Sequence, residues 1–490
     1  MRYRFDPGVL YTIYGNDLER FVIWRANVGH RTLTVFLGNH AVLKRAVTPY
    51  HFPTETSGPS GATTDSVSNE EAVVKRPIIL RICLFSGPFR ARHYRLNAAM
   101  DFSLNPGDTM RIMGTQVQIV ADARAFEKLK DDWTALWSRA DGQYHESHAF
   151  SWLSWQHLAK PQGGALRCIL GYSKSKLVMV WPLVLYRRGL WTILKSLGPD
   201  SADYSSILID PQEDAVGLTQ LAIRAAMKDC NAAIIRLPYV HTDSKLFRFL
   251  SDAKSCTHAE PRRASVARLR DIDDWGSYCA SLGTLSGKKP GALERRLSNK
   301  GALEARVIAP TDRQTIAELV DWTLEHKRKW AQHAAKQGAW LYSDGYRDFL
   351  ISILTDQPAQ PAALLYLILF DGKTLATTIV GKGQSSVKGL ITGFDEAFSK
   401  FSPGHLVVEH MVKWAYDHNF NFDFGVGTEP FKAYWSRDNA TKYASMEIPV
   451  NTWGRLALSG KRLLHANTRN SQFSWLRGGK AMSTRNGNAT

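Results

Sequence analysis

From Val117 onward, apolar positions recur with two periods, and their alternation predicts an α/β chain. Val117 to Val120 reads as a first strand. Ala125 to Arg139 reads as an amphipathic helix, with Phe126, Leu129, Trp133, Leu136 and Trp137 on one face. Phe150–Leu158 is a second, aromatic-rich helix. Leu166–Tyr172 and Lys176–Tyr186 form a strand pair around Ser173-Lys174-Ser175, and Ile193–Leu197 and Tyr204–Ile209 are short strands. Asp214–Cys230 is a helix and Ala233–Leu237 a strand, closing a first unit near Leu269. The plan then repeats. Helices are predicted at Ile272–Ser281, Thr315–Trp330 and Tyr346–Leu354, and a short strand at Val307–Ala309. Leu364–Asp371 and Thr374–Lys382 make a hairpin around Asp371-Gly372, and Val387–Gly393 is the next strand.

The densest stretch runs from Ile391 to Trp435. Ser402-Pro403-Gly404 opens a helix carrying Leu406, Val407, Met411, Trp414 and Ala415 at spacings of one, three and four. His418-Asn419 ends it. Phe420–Phe424 reads as a strand with Asp423 near its end, followed by Gly425, Gly427, Glu429, Lys432, Tyr434 and Trp435. Strand, small-residue turn, helix, strand is a layout that offers backbone N–H groups to a pyrophosphate. An ordinary helix N-cap with Pro at its first position explains the turn equally well.

The chain of 490 residues is too long for one ordinary core. Its five cysteines are scattered, without metal-ligand spacing, so no metal and no disulfide framework is expected. No apolar run approaches a membrane-spanning length, and the N-terminus lacks a signal-peptide core. A cytoplasmic protein is therefore expected, with peripheral attachment at the inner membrane face as an option. The net charge of +17 suggests a polyanionic partner, but residues 454–490 alone hold seven Lys/Arg and no acid. Solvated basic flanks account for most of the excess, and DNA is not an expected partner.

Residues 1–112 read differently. Thr54–Val74 is rich in Ser, Thr, Gly and Glu, and the apolar runs Leu33–Leu37 and Ile78–Phe85 have no clear partners. The expectation is a poorly ordered extension outside the functional fold, either a real segment or the product of an early start codon. The remaining divisions are 113–269, 270–453 with the active site, and a loose basic tail at 454–490.

The order of motifs resembles the CelD/BioF-like acetyltransferase family, which belongs to the GNAT superfamily and is related to the FemAB peptidyltransferases. Phe394-Asp395, Phe401-Ser402-Pro403-Gly404-His405-Leu406 and Asp423-Phe424-Gly425 through Glu429-Pro430-Phe431-Lys432 carry the likeness in the C-terminal half. Phe150-Ser151-Trp152-Leu153-Ser154-Trp155, Trp181-Pro182-Leu183, Arg187-Arg188, Leu197-Gly198 and Asp203-Tyr204-Ser205 carry it in the other half. The likeness spans roughly Val117 to Val450. It implies tandem GNAT domains with mixed sheets flanked by helices. It also implies acyl transfer from acetyl-CoA or another acyl-CoA to an amine or hydroxyl of a sugar or cell-envelope or exopolysaccharide precursor.

Such a site needs a pyrophosphate cradle, an oxyanion donor and a proton acceptor. Ser402, Gly404, His405 and Leu406 are the candidates for the cradle. Asp423, His405 and Glu429 are the candidates for catalysis, with Asp423 alternatively capping the glycine bend as an Asx turn. His405 and Glu409, four apart, face either one cleft or solvent. For the acceptor the candidates are His326, Lys329, Trp330, Asp395 and Lys432. His326 and Lys329 also suit a plain helix-end surface cluster. The Arg/Gln-x-x-Gly-x-Gly/Ala signature common in GNAT enzymes is absent. An aminoacyl-tRNA donor, which the basic segment Lys288–Arg296 would also suit, therefore stays open, as does a non-catalytic partner of polysaccharide synthesis.

Overall fold

A computed structural model describes residues 9–14, 20–28, 31–37, 114–199, 204–252, 256–258, 260–334, 338–357 and 359–462. The chain divides into two units, 1–98 and 99–490. In the first, β1 (Val9–Tyr14), β2 (Arg20–Val28) and β3 (Arg31–Leu37) form an antiparallel sheet in that order. The run Leu33–Leu37 thus has a partner, pairing with Ala26 through Val22 of β2. The stretches Thr54–Val74 and Ile78–Phe85 lie outside the described residues, as do Asp203 and the tail from 463.

The second unit is mixed α/β. Its strands are β4 (Thr115–Val120), β5 (Ala165–Leu166), β6 (Cys168–Ser173), β7 (Lys176–Trp181), β8 (Leu183–Arg188), β9 (Trp191–Ser196), β10 (Leu208–Ile209), β11 (Ile234–His241), β12 (Thr257–His258) and β13 (Arg262–Ala267). They continue with β14 (Leu303–Val307), β15 (Ala363–Phe370), β16 (Lys373–Lys382), β17 (Ser386–Phe394), β18 (Asn421–Val426) and β19 (Ala440–Pro449). β10-β7-β6-β4 make a four-stranded sheet. The others form one sheet in the order β14-β15-β16-β17-β18-β13-β19-β11-β9-β8-β5, with β12 also on β19.

One sheet therefore runs through both halves. β19, late in the chain, pairs with β11 along Ile234–His241, and β13 bridges β18 and β19. β13, read as part of the first unit, is built into the second. Neither β13 nor β19 shows a strong local strand signal: Arg262-Arg263-Ala264 is basic and small, and β19 begins Ala440-Thr441-Lys442.

The helices that matter below are α1 (Lys130–Arg139), α2 (Ala215–Lys228), α3 (Arg313–His333), α4 (Asp344–Thr355), α5 (Pro403–Asp417) and α6 (Pro430–Ser436). The single helix expected over Ala125–Arg139 is two, Ala123–Glu127 and α1. The break lets Phe126 and Trp133 both bury fully, edge to face with ring centroids 5.6 Å apart. α3 and α4 pack with Ile379 and Ile391 in one apolar cluster. Leu406, Val407, Met411, Val412 and Ala415 of α5 pack with Phe422 and Phe424 in another. Residues 452–462, expected as part of a loose tail, form a helix seated on Ala233 and Ile234 through Leu458.

Candidate functional site

β17 and β18 are parallel, joined through α5, and pair at only three positions: Ser386 with Asn421, Val387 with Phe422, and Lys388 with Asp423. Beyond these the strands part. β17 continues six residues past Lys388 and β18 three past Asp423. The gap opens into a cleft of about 530 Å³, within the size range of ligand sites. Gly389, Leu390, Ile391 and Thr392 line it from β17, and Phe422 and Phe424 from β18. Ser402, Pro403, Gly404 and His405 line it from the start of α5, and Trp330 and Lys327 from α3. Glu429, Phe431 and Lys432 close the remaining wall.

The β16–β17 ladder shifts register at the cleft, pairing Val380 with Gly389 but Ile379 with Ile391. Leu390 is thus an extra residue at a bulge, where the ladder is locally interrupted. A bulge beside the gap is where a backbone N–H can turn toward a ligand.

At the start of α5, Ser402 adopts the left-handed conformation (φ 55°), uncommon for a non-glycine residue. Its carbonyl accepts from both His405 N–H (2.9 Å) and Leu406 N–H (3.1 Å). Pro403 has no N–H, so Gly404 supplies the first-turn amide not committed to Ser402. The expectation that several amides after Gly404 stand free is corrected by this geometry. Leu406 is corrected too: its side chain is fully buried in the core beneath α5. Helix dipole and positive charge still favour an anion here. No acid lies in the first turn, and Lys288 is close enough to lower the His405 pKa, after burial, which is the larger cause. His405 is therefore neutral at pH 7.

Glu409 does not pair with His405 toward solvent. Its carboxylate accepts from Gly291 N–H, tying the Lys288–Arg296 segment to α5, and burial raises its pKa. Lys288 and Lys289 line a small hollow with His405 and Glu409. The basic segment thus stands beside the helix N-terminus, a placement that nothing in the sequence spacing marks.

Gly425 (φ 69°), near the end of β18, and Gly427 (φ 155°), just past it, make the bend that closes the strand. A Cβ at Gly427 would fall on the Glu429 carboxylate and the Lys432 ammonium. These two side chains form an ion pair at 3.2 Å, with Lys432 also donating to the Val426 carbonyl at 3.0 Å. Burial lowers the Lys432 pKa, opposed by Glu429. The Glu429 side chain keeps 40% of its surface exposed.

Asp423 does not line the cleft. Strand alternation sends Phe422 and Phe424 to the cleft face and Asp423 to the other. There one carboxylate oxygen accepts from Gly425 N–H at 2.7 Å and from Tyr204 O–H at 3.0 Å. This is the Asx-type cap of the bend. Burial raises the Asp423 pKa against the pull of Lys388. Lys388, its cross-strand partner, lies 4.0 Å from the Tyr204 ring centroid and donates to Tyr144 O–H at 3.2 Å. Tyr204 stacks on Tyr443 at 4.3 Å. Beside them His145 Nε2 meets Ser206 Oγ at 2.9 Å, and Ser206 donates to Glu146. Burial and Lys388 push the His145 pKa down to about 3, and burial raises that of Glu146. Tyr204-Ser205 is the one piece of the Asp203-Tyr204-Ser205 motif that can be placed. His145, Glu146, Ser206 and Lys388 escaped sequence reading because the groups are up to 243 positions apart.

Other expectations also move. His326 stacks on Trp322 at 3.8 Å and its Nδ1 meets the Trp322 carbonyl, and Lys329 pairs with Glu325 on the exposed face of α3. Neither lines the cleft. Asp395 caps the short helix Glu396–Phe401 through Ala397 N–H. Of the acceptor set, Trp330 and Lys432 reach the cleft. Among the described residues no group of His, Cys, Asp and Glu is arranged to hold a metal.

Residues 292–433 match the acetyltransferase (GNAT) domain family. The matched span covers α3 through most of α6 and contains the whole cleft. Similar solved structures include FemX, at 14% identity over 68% of this chain and 96% of that one, TM-score 0.45. A tandem GNAT protein from the clavulanic acid biosynthesis pathway is similar at 11% identity over 69% and 99%, TM-score 0.40. A conserved protein of unknown function from Bacteroides thetaiotaomicron is similar at 13% identity over 68% and 99%, TM-score 0.42. No curated protein matches the chain.

Proposed function

We propose that this GNAT-type chain transfers an acyl group from acyl-CoA, acetyl-CoA being the simplest donor, to an amine or hydroxyl of a sugar or envelope precursor. The observation that carries this reading is the parting of β17 and β18 beside the α5 N-terminus. A pantetheine arm is long, narrow and able to pair with strand edges, and the gap offers unpaired edges of both strands. The pyrophosphate would sit at Ser402–His405, where Gly404 N–H, the helix dipole and Lys288 provide for an anion. The thioester would then lie near the Leu390 bulge, whose backbone N–H serves as the oxyanion donor.

Glu429 takes the proton from the attacking group, and Lys432 holds Glu429 in place and attracts an anionic acceptor. Asp423 acts as a positioning residue through Gly425. His405, neutral at pH 7, is the second proton acceptor to test. The active half is 270–453.

The direct test is calorimetric titration of the full chain with acetyl-CoA, longer acyl-CoAs and aminoacyl-tRNA, alongside Gly404→Val. Acyl-CoA should bind the parent chain and fail to bind a Gly404→Val protein that melts normally. A valine there puts a branched side chain 3.2 Å from the Phe394 ring and against the approaching phosphate. Binding of aminoacyl-tRNA alone, or unchanged acyl-CoA affinity in Gly404→Val, would overturn the assignment.

A further inference from the structure

Five large apolar side chains are most exposed among the described residues, and three of them share one face: Leu190, Trp453 and Leu456, at 61%, 56% and 58%. Leu190 sits at the tip of the β8–β9 hairpin, where Arg188 pairs with Trp191. Trp191 meets Trp453 with ring centroids 6.4 Å apart. Leu456 lies one helical turn beyond Trp453. The helix 452–462 is held in an unusual sense. Gly454 and Leu458 face the sheet, and a Cβ at Gly454 would strike the Ala233 carbonyl. Its indole and Leu456 are thereby turned outward.

The two segments that form this patch carry charge of one sign. Residues 183–196 carry Arg187, Arg188 and Lys195 and no acid, and 452–462 carry Arg455, Lys461 and Arg462 and no acid. Arg187, Arg455 and Arg462 are exposed. Of the nearby acids, Glu447 is held by Lys461 at 2.8 Å and by Arg236 at 2.8 Å, which leaves Asp229 at the end of α2. The patch is four strands from the β17–β18 gap, because β13, β19 and β11 intervene before β9.

We propose that the β8–β9 tip and the helix 452–462 form a docking surface for an anionic lipid bilayer. Indole and aliphatic side chains ringed by arginine are what an interfacial site needs: the rings rest at headgroup level, Leu190 and Leu456 enter the acyl boundary, and the cations meet phosphate. Two exposed leucines argue for lipid over single-stranded nucleic acid, since leucine offers no ring on which a base can stack. Among the described residues no helix is long and apolar enough to span a membrane, so attachment here would be peripheral.

Sedimentation of the full chain with vesicles tests this, comparing phosphatidylcholine alone with phosphatidylcholine containing phosphatidylglycerol. The chain should partition to the anionic vesicles and leave them as salt is raised. The double variant Leu190→Ser with Leu456→Ser should bind about tenfold more weakly or worse, because each leucine contributes a buried apolar side chain. Acyl-CoA binding should be unchanged in that variant, which separates failure of this inference from failure of the proposed reaction. Equal partition of parent and variant overturns the inference. So does absence of vesicle binding, whether the chain then binds oligonucleotide or self-associates through these leucines.

Discussion

Among the described residues two crossovers join parallel strands, and they are finished in opposite ways. β9 and β11 pair in parallel at three positions, Ile193 with Ile234 through Lys195 with Arg236, and α2 lies between them in sequence. β17 and β18 also pair at three positions, with α5 between. In the first case the space beyond the third pair is refilled by the chain itself. Ser205 bridges to Val240 and takes the Tyr239 carbonyl, and Tyr204 fills the junction. What remains beside His145, Glu146, Ser196 and Ser206 is about 20 Å³, room for one water. In the second case the space is the open cleft. The helix termini differ in the same direction. α2 is capped by Asp214, whose carboxylate accepts from Val216 N–H, so its anion is built in. α5 begins Ser402-Pro403-Gly404 with no acid and with Lys288 nearby. The likeness of the two halves ends at the open cleft, and the proposed donor site rests on that difference.

The comparison is broken or sharpened most by moving the proton acceptor. Glu429→Gln keeps shape and loses charge. It should lower kcat by roughly a hundredfold or more, the usual cost of a lost general base, with acyl-CoA affinity unchanged. Glu146→Gln, in the closed half, should leave kcat within a few-fold. Steady-state kinetics showing the reverse order would move the active site to the refilled crossover.

The next effect exchanges the helix termini. Gly404→Asp gives α5 the built-in anion that α2 already has. Two like charges about 5 Å apart at an effective dielectric near 20 repel by about 3 kcal/mol, so acyl-CoA affinity should fall by roughly a hundredfold. Asp214→Asn should not change it. Equal affinity for all three proteins would show that the α5 terminus binds no phosphate.

Much of this was legible in sequence, and the limits are physical. The turn at Ser402–Gly404, the amphipathic α5, the strands around it and the Asp371-Gly372 hairpin all follow from local chemistry. Trp330, Glu429 and Lys432, named as candidates from sequence, line the cleft, and Glu429 and Lys432 also pair with each other. Asp423, open between a catalytic role and an Asx-type cap, accepts from Gly425 N–H as the cap, while Phe422 and Phe424 on either side of it line the cleft. Lys288 beside His405, and Ser206 between His145 and Glu146, depend on pairings across many residues, which no spacing rule encodes. The continuity of the sheet rests on β13 and β19, whose partners are fixed by the whole fold and not by their own composition.

A third prediction concerns the closed face. His145 is buried and held neutral, with a pKa near 3 against 6.5 when unfolded. A depressed pKa means the unfolded chain binds the proton first. The group's stability is fully present above pH 6.5 and is lost as pH falls toward 3. At pH 5 the loss should be about 2 kcal/mol. Glu146 and Asp423, with raised values, act in the opposite sense. The signature is therefore a difference: His145→Gln should remove that acid-side slope from denaturant melts between pH 7 and 5. Parallel slopes in parent and variant would mean His145 is not the group responsible.

The smallest effect belongs to His326 and Lys329, which the sequence left open between the acceptor site and a helix-end surface cluster and which lie outside the cleft. Lys329 forms an i, i+4 pair with Glu325 in open solvent, where such pairs contribute little because both partners are hydrated and salt screens them. His326 is occupied by the Trp322 ring and carbonyl. One position along α3, Trp330 lines the cleft, with Lys327 over its ring at 3.8 Å. Lys329→Ala should leave the melting temperature, kcat and KM at parental values, whereas Trp330→Ala should raise KM for the acceptor. A raised KM in Lys329→Ala would mean that the acceptor reaches out of the cleft along the exposed face of α3. Parental KM in Trp330→Ala would mean that the acceptor enters from the Glu429–Lys432 wall instead.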